Sequence, residues 1–211
     1  EAQFNLGVIY SNNQYDIFDI NKAIHYLTLA ANNNIQQALQ LLGDFFLDNK
    51  YIKRDINKSI YYLTLAAKQN IPHANFKLGE IYLNGNYITR DIMKGINYIK
   101  IAADLNDDKA QYFLGFLYYN SKIISQNIDN SIYYFTLSAK QNNVYSQFML
   151  GNIYYSGTYV VKNINKAKYY FNLAADLNNP LAFYNLGAIY YETKYSKHDI
   201  NKAIHYLTLS A

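Results

Sequence analysis

The sequence predicts an all-α solenoid built from six copies of a two-helix repeat. The dipeptide Leu-Gly recurs at a constant interval of 36 residues, without insertion or deletion. Two further columns keep the same interval: an aromatic residue three positions after each of these glycines, and a tyrosine at position 26 of every copy. A short repeat of this kind cannot bury its apolar face alone, and it does so by stacking on its neighbours. The glycines of the six dipeptides are Gly7, Gly43, Gly79, Gly115, Gly151 and Gly187.

The repeats are predicted to cover the whole chain as one solenoid. Their boundaries are 1–36, 37–72, 73–108, 109–144, 145–180 and an incomplete 181–211, which lacks the last five residues of the repeat. Terminal repeats of solenoids normally carry a polar outer face that caps the stack. Neither end of this chain shows that difference, so we expect the segment to belong to a longer array.

Each repeat is predicted to contain two helices. The first, Ala2 to Asn12 in the first copy, places apolar residues at helical intervals. The second starts after a residue that can cap free N–H groups and stops near an asparagine, which tolerates the left-handed conformation of a helix end. The predicted caps are Asp19, Asp55, Asp91, Asn127, Asn163 and Asp199, and the predicted stops are Asn34, Asn70, Asn106, Asn142 and Asn178.

Composition excludes several classes of protein. Of the 211 residues 51% are apolar, which is too many for a disordered polymer, and no apolar run approaches the roughly 18 residues that cross a bilayer. The absence of cysteine excludes disulfide scaffolds, cysteine nucleophiles and thiolate metal sites. Neither a glycine-rich phosphate loop nor a nucleophile elbow is present. We therefore expect no catalytic residue, no cofactor and no metal site.

The third repeat resembles the Sel-1-like repeat, a short-period relative of the tetratricopeptide repeats. The resemblance rests on Ala74, Leu78-Gly79, Tyr82 and Gly85, followed by Asp91, Lys94-Gly95, Tyr98 and Ala102-Ala103, and it extends over the whole chain. It implies a right-handed superhelix of antiparallel helix pairs, with the first helices lining the concave side. It also implies a non-catalytic adaptor or scaffold for protein complexes.

The chain departs from the family pattern in the turn between the two helices. The second glycine of the family's Gly-x-Gly turn is replaced by a larger residue in every copy, and the family's tryptophan is absent. The replacing residues are Tyr15, Tyr51, Tyr87, Ile123, Tyr159 and Tyr195.

The concave face is the predicted partner site. If the Leu-Gly side of each first helix points into the core, the groove presents positions 1, 5, 8 and 12 of each repeat. These positions include three acids in the second and third repeats and four apolar residues in the fourth and fifth. We therefore expect a protein or peptide partner with a basic segment and an apolar anchor. The alternative is that the helix is rotated and the apolar residues pack between repeats. The candidate residues are Asp44, Asp48, Glu80, Phe113, Phe116, Tyr145 and Met149.

The net charge of +4 is distributed unevenly along the repeat. The inter-helix turn and the start of the second helix carry +7, and the remainder carries −3. We interpret this basic rim as a solvated edge whose lysines pair with the capping aspartates. The alternative is a docking edge for an acidic protein or a membrane surface. Nucleic acid needs a basic track along its phosphates, and the acidic groove argues against such a partner. A further alternative is that the repeats form the targeting arm of a larger enzyme.

Overall fold

The structure, a computed structural model, describes residues 1–48, 50–120, 122–192 and 197–211. The side chains of Lys197 and His198 lie outside the description, as do Lys194 and Tyr195. Within these ranges the chain forms helices and no strand, so the predicted all-α fold class is confirmed. The helices are α1 Ala2–Ser11, α2 Ile20–Asn32, α3 Gln36–Leu47, α4 Ile56–Lys68, α5 Pro72–Asn84, α6 Ile92–Asp104, α7 Asp108–Tyr119, α8 Ile128–Lys140, α9 Val144–Ser156, α10 Ile164–Asp176, α11 Pro180–Glu192 and α12 Lys197–Ser210.

The helices belong to two compact units, Glu1–Ala110 and Gln111–Ala211. In the first unit α1 packs on α2, α3 on α4 and α5 on α6, and each pair also contacts the next. In the second unit α9 packs on α10 and α11 on α12, with α8 against α9 and α10 against α11. Both units therefore consist of stacked helix pairs, as the 36-residue period predicts.

The Leu-Gly glycines allow the two helices of a pair to approach closely. A Cβ atom added to any of them would lie less than 3.0 Å from a side-chain atom of the second helix. The nearest residue is Leu27 for Gly7, for example, and Phe171 for Gly151. Two serines also exploit this approach, because the buried hydroxyl of Ser59 donates to the Gly43 carbonyl and that of Ser131 donates to the Gly115 carbonyl, both at 2.8 Å. Helix contact at the glycine column is therefore a property of the repeat.

The predicted helix boundaries are confirmed at most positions. Asp55 and Asp91 each accept a backbone N–H from the first turn at 3.0 Å, and Asp19, Asn127 and Asn163 do the same in their repeats. The asparagines that follow the second helices adopt positive φ angles between 57° and 67°. Asp199 is the exception, because α12 already begins at Lys197. That carboxylate lies in the first turn, where the helix dipole still favours a negative charge.

Three of the tyrosines that replace the turn glycine, Tyr51, Tyr87 and Tyr159, contact the preceding repeat. Tyr51 packs on Phe18 with ring centroids 4.6 Å apart, and Tyr159 packs edge-on against Tyr119 at 5.7 Å. Arg54 lies over the ring of Tyr87 at 4.4 Å and donates to its hydroxyl at 2.6 Å. The departure from the family turn therefore adds an inter-repeat contact that glycine cannot make.

A lysine covers a stacked aromatic pair in five of the six repeats. The aromatic residues at positions 10 and 26 stack in every repeat, with centroids 5.7–6.0 Å apart. The lysine ammonium at position 22 lies 4.1–5.2 Å from the first ring in all repeats except the fourth. There the residue is Asn130, and the Tyr118–Tyr134 pair lacks this lysine.

Replacing Asn130 with lysine is expected to raise the free energy of unfolding by about 0.5–1 kcal/mol, the usual value of an exposed cation–π contact. Chemical denaturation measures the change. Asn165→Lys is the matched control, since it adds the same charge one position away from the column. If both variants were stabilised equally, the effect would come from the added charge alone, and the cation–π explanation would be contradicted.

Two buried serines of the second unit are predicted to have opposite effects on stability when each is replaced with alanine. Ser146 and Ser131 are both 0% exposed, but the Ser146 hydroxyl has no hydrogen-bond partner among the described residues, whereas Ser131 donates to Gly115. Ser146→Ala is expected to stabilise the protein by about 1 kcal/mol, because an unsatisfied buried polar group is removed. Ser131→Ala is expected to destabilise it by a similar amount. Thermal unfolding of both variants checks the signs, and the same sign for both would refute the explanation.

Candidate partner-binding surfaces

Asp44 in α3 has a histidine partner in α5. Its two carboxylate oxygens lie 3.0 Å from Nε2 of His73. Both side chains are about one-third exposed, at 30% for Asp44 and 32% for His73. The two residues are 29 positions apart, so only the stacking of the second and third repeats brings them together. Asp44 is therefore accessible to solvent but already contacts His73.

Asp48 and Glu80 line one cavity of the first unit, with a volume of about 240 Å³. Two basic residues line the same cavity. Lys77 donates to Glu80 at 2.8 Å, and the Arg54 guanidinium lies 3.5 Å from Asp48. Asp48 has 86% of its side chain exposed, whereas Glu80 has 35%. The structure thus brings two of the three predicted acids to one cavity and gives each a basic neighbour.

Two of the predicted apolar residues of the second unit, Phe116 and Tyr145, are exposed and share a neighbour, Tyr112, that the sequence analysis did not name. Phe116 in α7 is 38% exposed and Tyr145 in α9 is 60% exposed. Tyr112 lies beside both, with ring centroids 6.5 Å from Phe116 and 5.7 Å from Tyr145. Met149 is half-buried and packs against the core cluster that contains Phe135. We call Tyr112, Phe116, Tyr145 and Met149 the aromatic patch.

Phe113 is half-buried, whereas Phe116 is exposed. The sequence contained a signal for Tyr112, since it precedes Phe116 by four positions and therefore shares its side of a helix. Burial raises the pKa of the Tyr112 hydroxyl, with a smaller contribution from Tyr145. The phenol is therefore neutral at physiological pH, and the patch carries no charge of its own.

The lysines of the basic rim have intramolecular partners in several repeats. Lys22 lies 3.7 Å from Asp19 and Lys58 lies 3.6 Å from Asp55, in the predicted arrangement of cap and lysine. The same lysines cover the aromatic pairs. The pKa of Lys94 is raised, chiefly by its hydrogen bond with Tyr82. These contacts favour the interpretation of the rim as a solvated edge, with Lys194 and the side chain of Lys197 outside the described residues.

Within the described part of the chain, no three His, Asp or Glu side chains are grouped closely enough to hold a metal ion. None of the helices found there combines the length and apolarity that crossing a bilayer requires.

The stacked helix pairs and the glycine contacts together define an all-α repeat protein of the solenoid class. The chain belongs to the Sel1 repeat family, which matches residues 1–35, 36–71, 72–107, 108–143, 144–179 and 180–211. Sel1 repeats generally mediate protein interactions and are generally non-catalytic scaffolds. No curated protein sequence matches the chain.

Solved structures of bacterial proteins share the fold. A protective antigen of uropathogenic Escherichia coli with an SLR fold is 25% identical, with a TM-score of 0.91 over 99% of this chain and 45% of the antigen. The chain therefore spans less than half of that protein. A Sel1 repeat protein from Oxalobacter formigenes is 26% identical, with a TM-score of 0.84 over 99% of this chain and 85% of its own. An immunity protein of Pseudomonas aeruginosa is 16% identical and shares the fold, with a TM-score of 0.55 over 99% of this chain and 80% of its own.

Proposed function

We propose that the chain is a non-catalytic protein-interaction scaffold whose aromatic patch anchors an apolar segment of a peptide or partner domain. The observation that carries the proposal is the exposure of Phe116 and Tyr145 beside Tyr112. Large aromatic side chains that gather at a surface mark partner sites, since tyrosine and tryptophan dominate the energetics of interfaces. Helix packing alone does not require this cluster, because the equivalents of Phe116 and Tyr145 in the first repeat are Val8 and Glu1.

The repeats show which positions are free to serve binding. Position 8 holds Val8, Asp44, Glu80, Phe116, Asn152 and Ala188 in successive copies, whereas position 6 is leucine in all of them. Position 6 is fully or almost fully buried from the second repeat onward. Packing therefore determines position 6 and leaves position 8 to vary. An aromatic residue at position 8 is best explained by a partner.

In the first unit we propose that Asp44, Asp48 and Glu80 select a basic segment of the partner. Asp48 is the acid most available for this role, because 86% of its side chain is exposed and its contact with Arg54 is long. Asp44 and Glu80 would exchange their pairing with His73 and Lys77 for contacts with the partner. Such exchange contributes more to specificity than to affinity.

A selection of displayed random peptides against the intact chain tests the anchor. Peptides that bind should carry an aromatic or aliphatic residue. Tyr145→Ser should lower their affinity at least tenfold, because loss of an interface tyrosine commonly costs about 2 kcal/mol of binding free energy. Tyr133→Ser is the matched control, since Tyr133 is 57% exposed and lies on α8, a second helix. Equal weakening by both variants, or by the control alone, would contradict the proposed site.

The acids need a separate measurement with the same peptides. Asp48→Lys should lower the affinity for peptides that contain Lys or Arg and leave the affinity for other peptides unchanged. Asp16→Lys is the control, because Asp16 is an exposed acid in the turn of the first repeat. Unchanged binding of basic peptides to Asp48→Lys would remove this residue from the site.

A further inference from the structure

The cavity between α3 and α5 contains charges that the repeat does not need. Lys77 occupies position 5, where the other five copies have no charged residue. Its partner Glu80 occupies position 8, which is charged in only one other copy. The uncharged repeats form the same helix pairs, so the charges at these two positions are not required by the fold.

Stability does not account for the Lys77–Glu80 pair either. The two side chains are 30% and 35% exposed, so both charges have lost part of their hydration. An ion pair in this situation gains little net stability, because desolvation offsets the attraction. A charged pair that faces a cavity and is dispensable for packing indicates a binding role.

The second cation of the cavity is held in place before any ligand arrives. Arg54 donates from Nε to the Leu47 carbonyl and from Nη1 to the Tyr87 hydroxyl, both at 2.6 Å. The ring of Tyr87 supports the guanidinium from below at 4.4 Å. The remaining guanidinium nitrogen, Nη2, lies 3.5 Å from Asp48, which is at the limit of a hydrogen bond. A ligand anion can therefore compete for this nitrogen at little cost.

The balance of charge determines which ligand the cavity favours. Two carboxylates, Asp48 and Glu80, line it with two cations, Arg54 and Lys77. A ligand with one sign of charge is attracted by one pair and repelled by the other, whereas a zwitterion is attracted by both. The volume of about 240 Å³ is below the range of about 300–1,000 Å³ that is usual for drug-sized ligands. The cavity therefore suits a molecule of amino-acid size.

We propose that this cavity binds a free α-amino acid as a zwitterion. The ligand's ammonium lies between Asp48 and Glu80, and its carboxylate lies between Arg54 and Lys77. Leu47 and Ile81, which also line the cavity, provide apolar contact for a small side chain. This inference does not involve the aromatic patch, but it shares Asp48 and Glu80 with the proposed selection of a basic partner segment.

Isothermal titration of the intact chain with the common amino acids and two blocked forms tests the proposal. At least one free amino acid should bind saturably. Its N-acetyl derivative, which keeps only the carboxylate, and its amide, which keeps only the ammonium, should bind at least tenfold more weakly. If the amide bound as tightly as the free amino acid, recognition of a zwitterion would be excluded, and selection of a basic partner segment would be favoured. The absence of any Kd below about 10 mM would overturn the site itself.

Substitutions of the residues that line the cavity test whether the amino acid binds there. Lys77→Gln and Glu80→Gln should each weaken the best amino acid at least tenfold, whereas Lys53→Gln, which changes an exposed lysine of the same unit, should not. The thermal midpoint of each variant without ligand shows whether it folds. Tyr145→Ser should bind the amino acid as the unaltered chain does. Failure of the proposed peptide anchor and failure of the proposed amino-acid site therefore give different results. Unaltered binding by both glutamine variants would contradict the proposal.

Discussion

Replacing Gly115 with valine is expected to lower the free energy of unfolding by about 3 kcal/mol, at the upper end of overpacking costs. The new Cβ would lie 2.6 Å from Cδ1 of Phe135. Phe135 is 0% exposed, so its ring is enclosed on all sides and cannot move without disturbing α8. Relief of the clash therefore requires the helices to separate.

The sign of this effect distinguishes packing from helix propensity. Glycine inside a helix costs about 1 kcal/mol relative to alanine, so propensity alone predicts that Gly115→Ala stabilises the protein. The packing explanation predicts that even Gly115→Ala destabilises it, because the Cβ atom itself makes the contact. Urea denaturation of both variants decides between them. An unfolding midpoint that stays constant or rises would show that the glycine column does not serve close approach.

Truncation of Phe171 to alanine is expected to cost about 3–5 kcal/mol, the usual range for a buried phenylalanine. Phe171 is 0% exposed, lies against Gly151 and belongs to the core cluster of the second unit. Its removal leaves a cavity that the rigid glycine contact cannot close. Thermal and urea unfolding measure the loss.

Phe171→Leu provides the matched comparison. The equivalent position holds leucine in the first, second and sixth repeats, at Leu27, Leu63 and Leu207. Leucine should therefore be accommodated with a loss below about 1.5 kcal/mol. A leucine variant as unstable as the alanine variant would show that the repeats do not share one packing solution at this position.

Local features of the fold were predictable because each depends on a few neighbouring residues. An aspartate before an apolar run predicts a capped helix start, and Asp55 and Asp91 fulfil this role. Asparagine after the second helix predicts a left-handed residue, and Asn106 adopts φ 67°. The same aspartate rule places the start of α12 after Asp199, whereas α12 already includes Lys197.

Features that depend on the contact between repeats were less predictable. The helical period predicts a concave face that contains Asp44 and Glu80, but it does not predict their pairing with His73 and Lys77. Summed charge over a face does not show which side chains meet. The contact between Tyr112 and Tyr145 was missed for the same reason, since it joins α7 to α9. The exposure of Phe116 and the partial burial of Met149 likewise depend on how two helices pack.

The two methionines of the chain allow the most direct test of the proposed anchor. Met149 belongs to the aromatic patch, whereas Met93 lies on α6 with 76% of its surface exposed. The ¹³C-methyl spectrum of methionine-labelled protein therefore contains one reporter at the site and one internal control. Addition of a selected peptide should shift or broaden the Met149 signal and leave the Met93 signal unchanged. A peptide that binds while the Met149 signal stays constant, or that shifts Met93 alone, would contradict the proposal that the patch is the partner site.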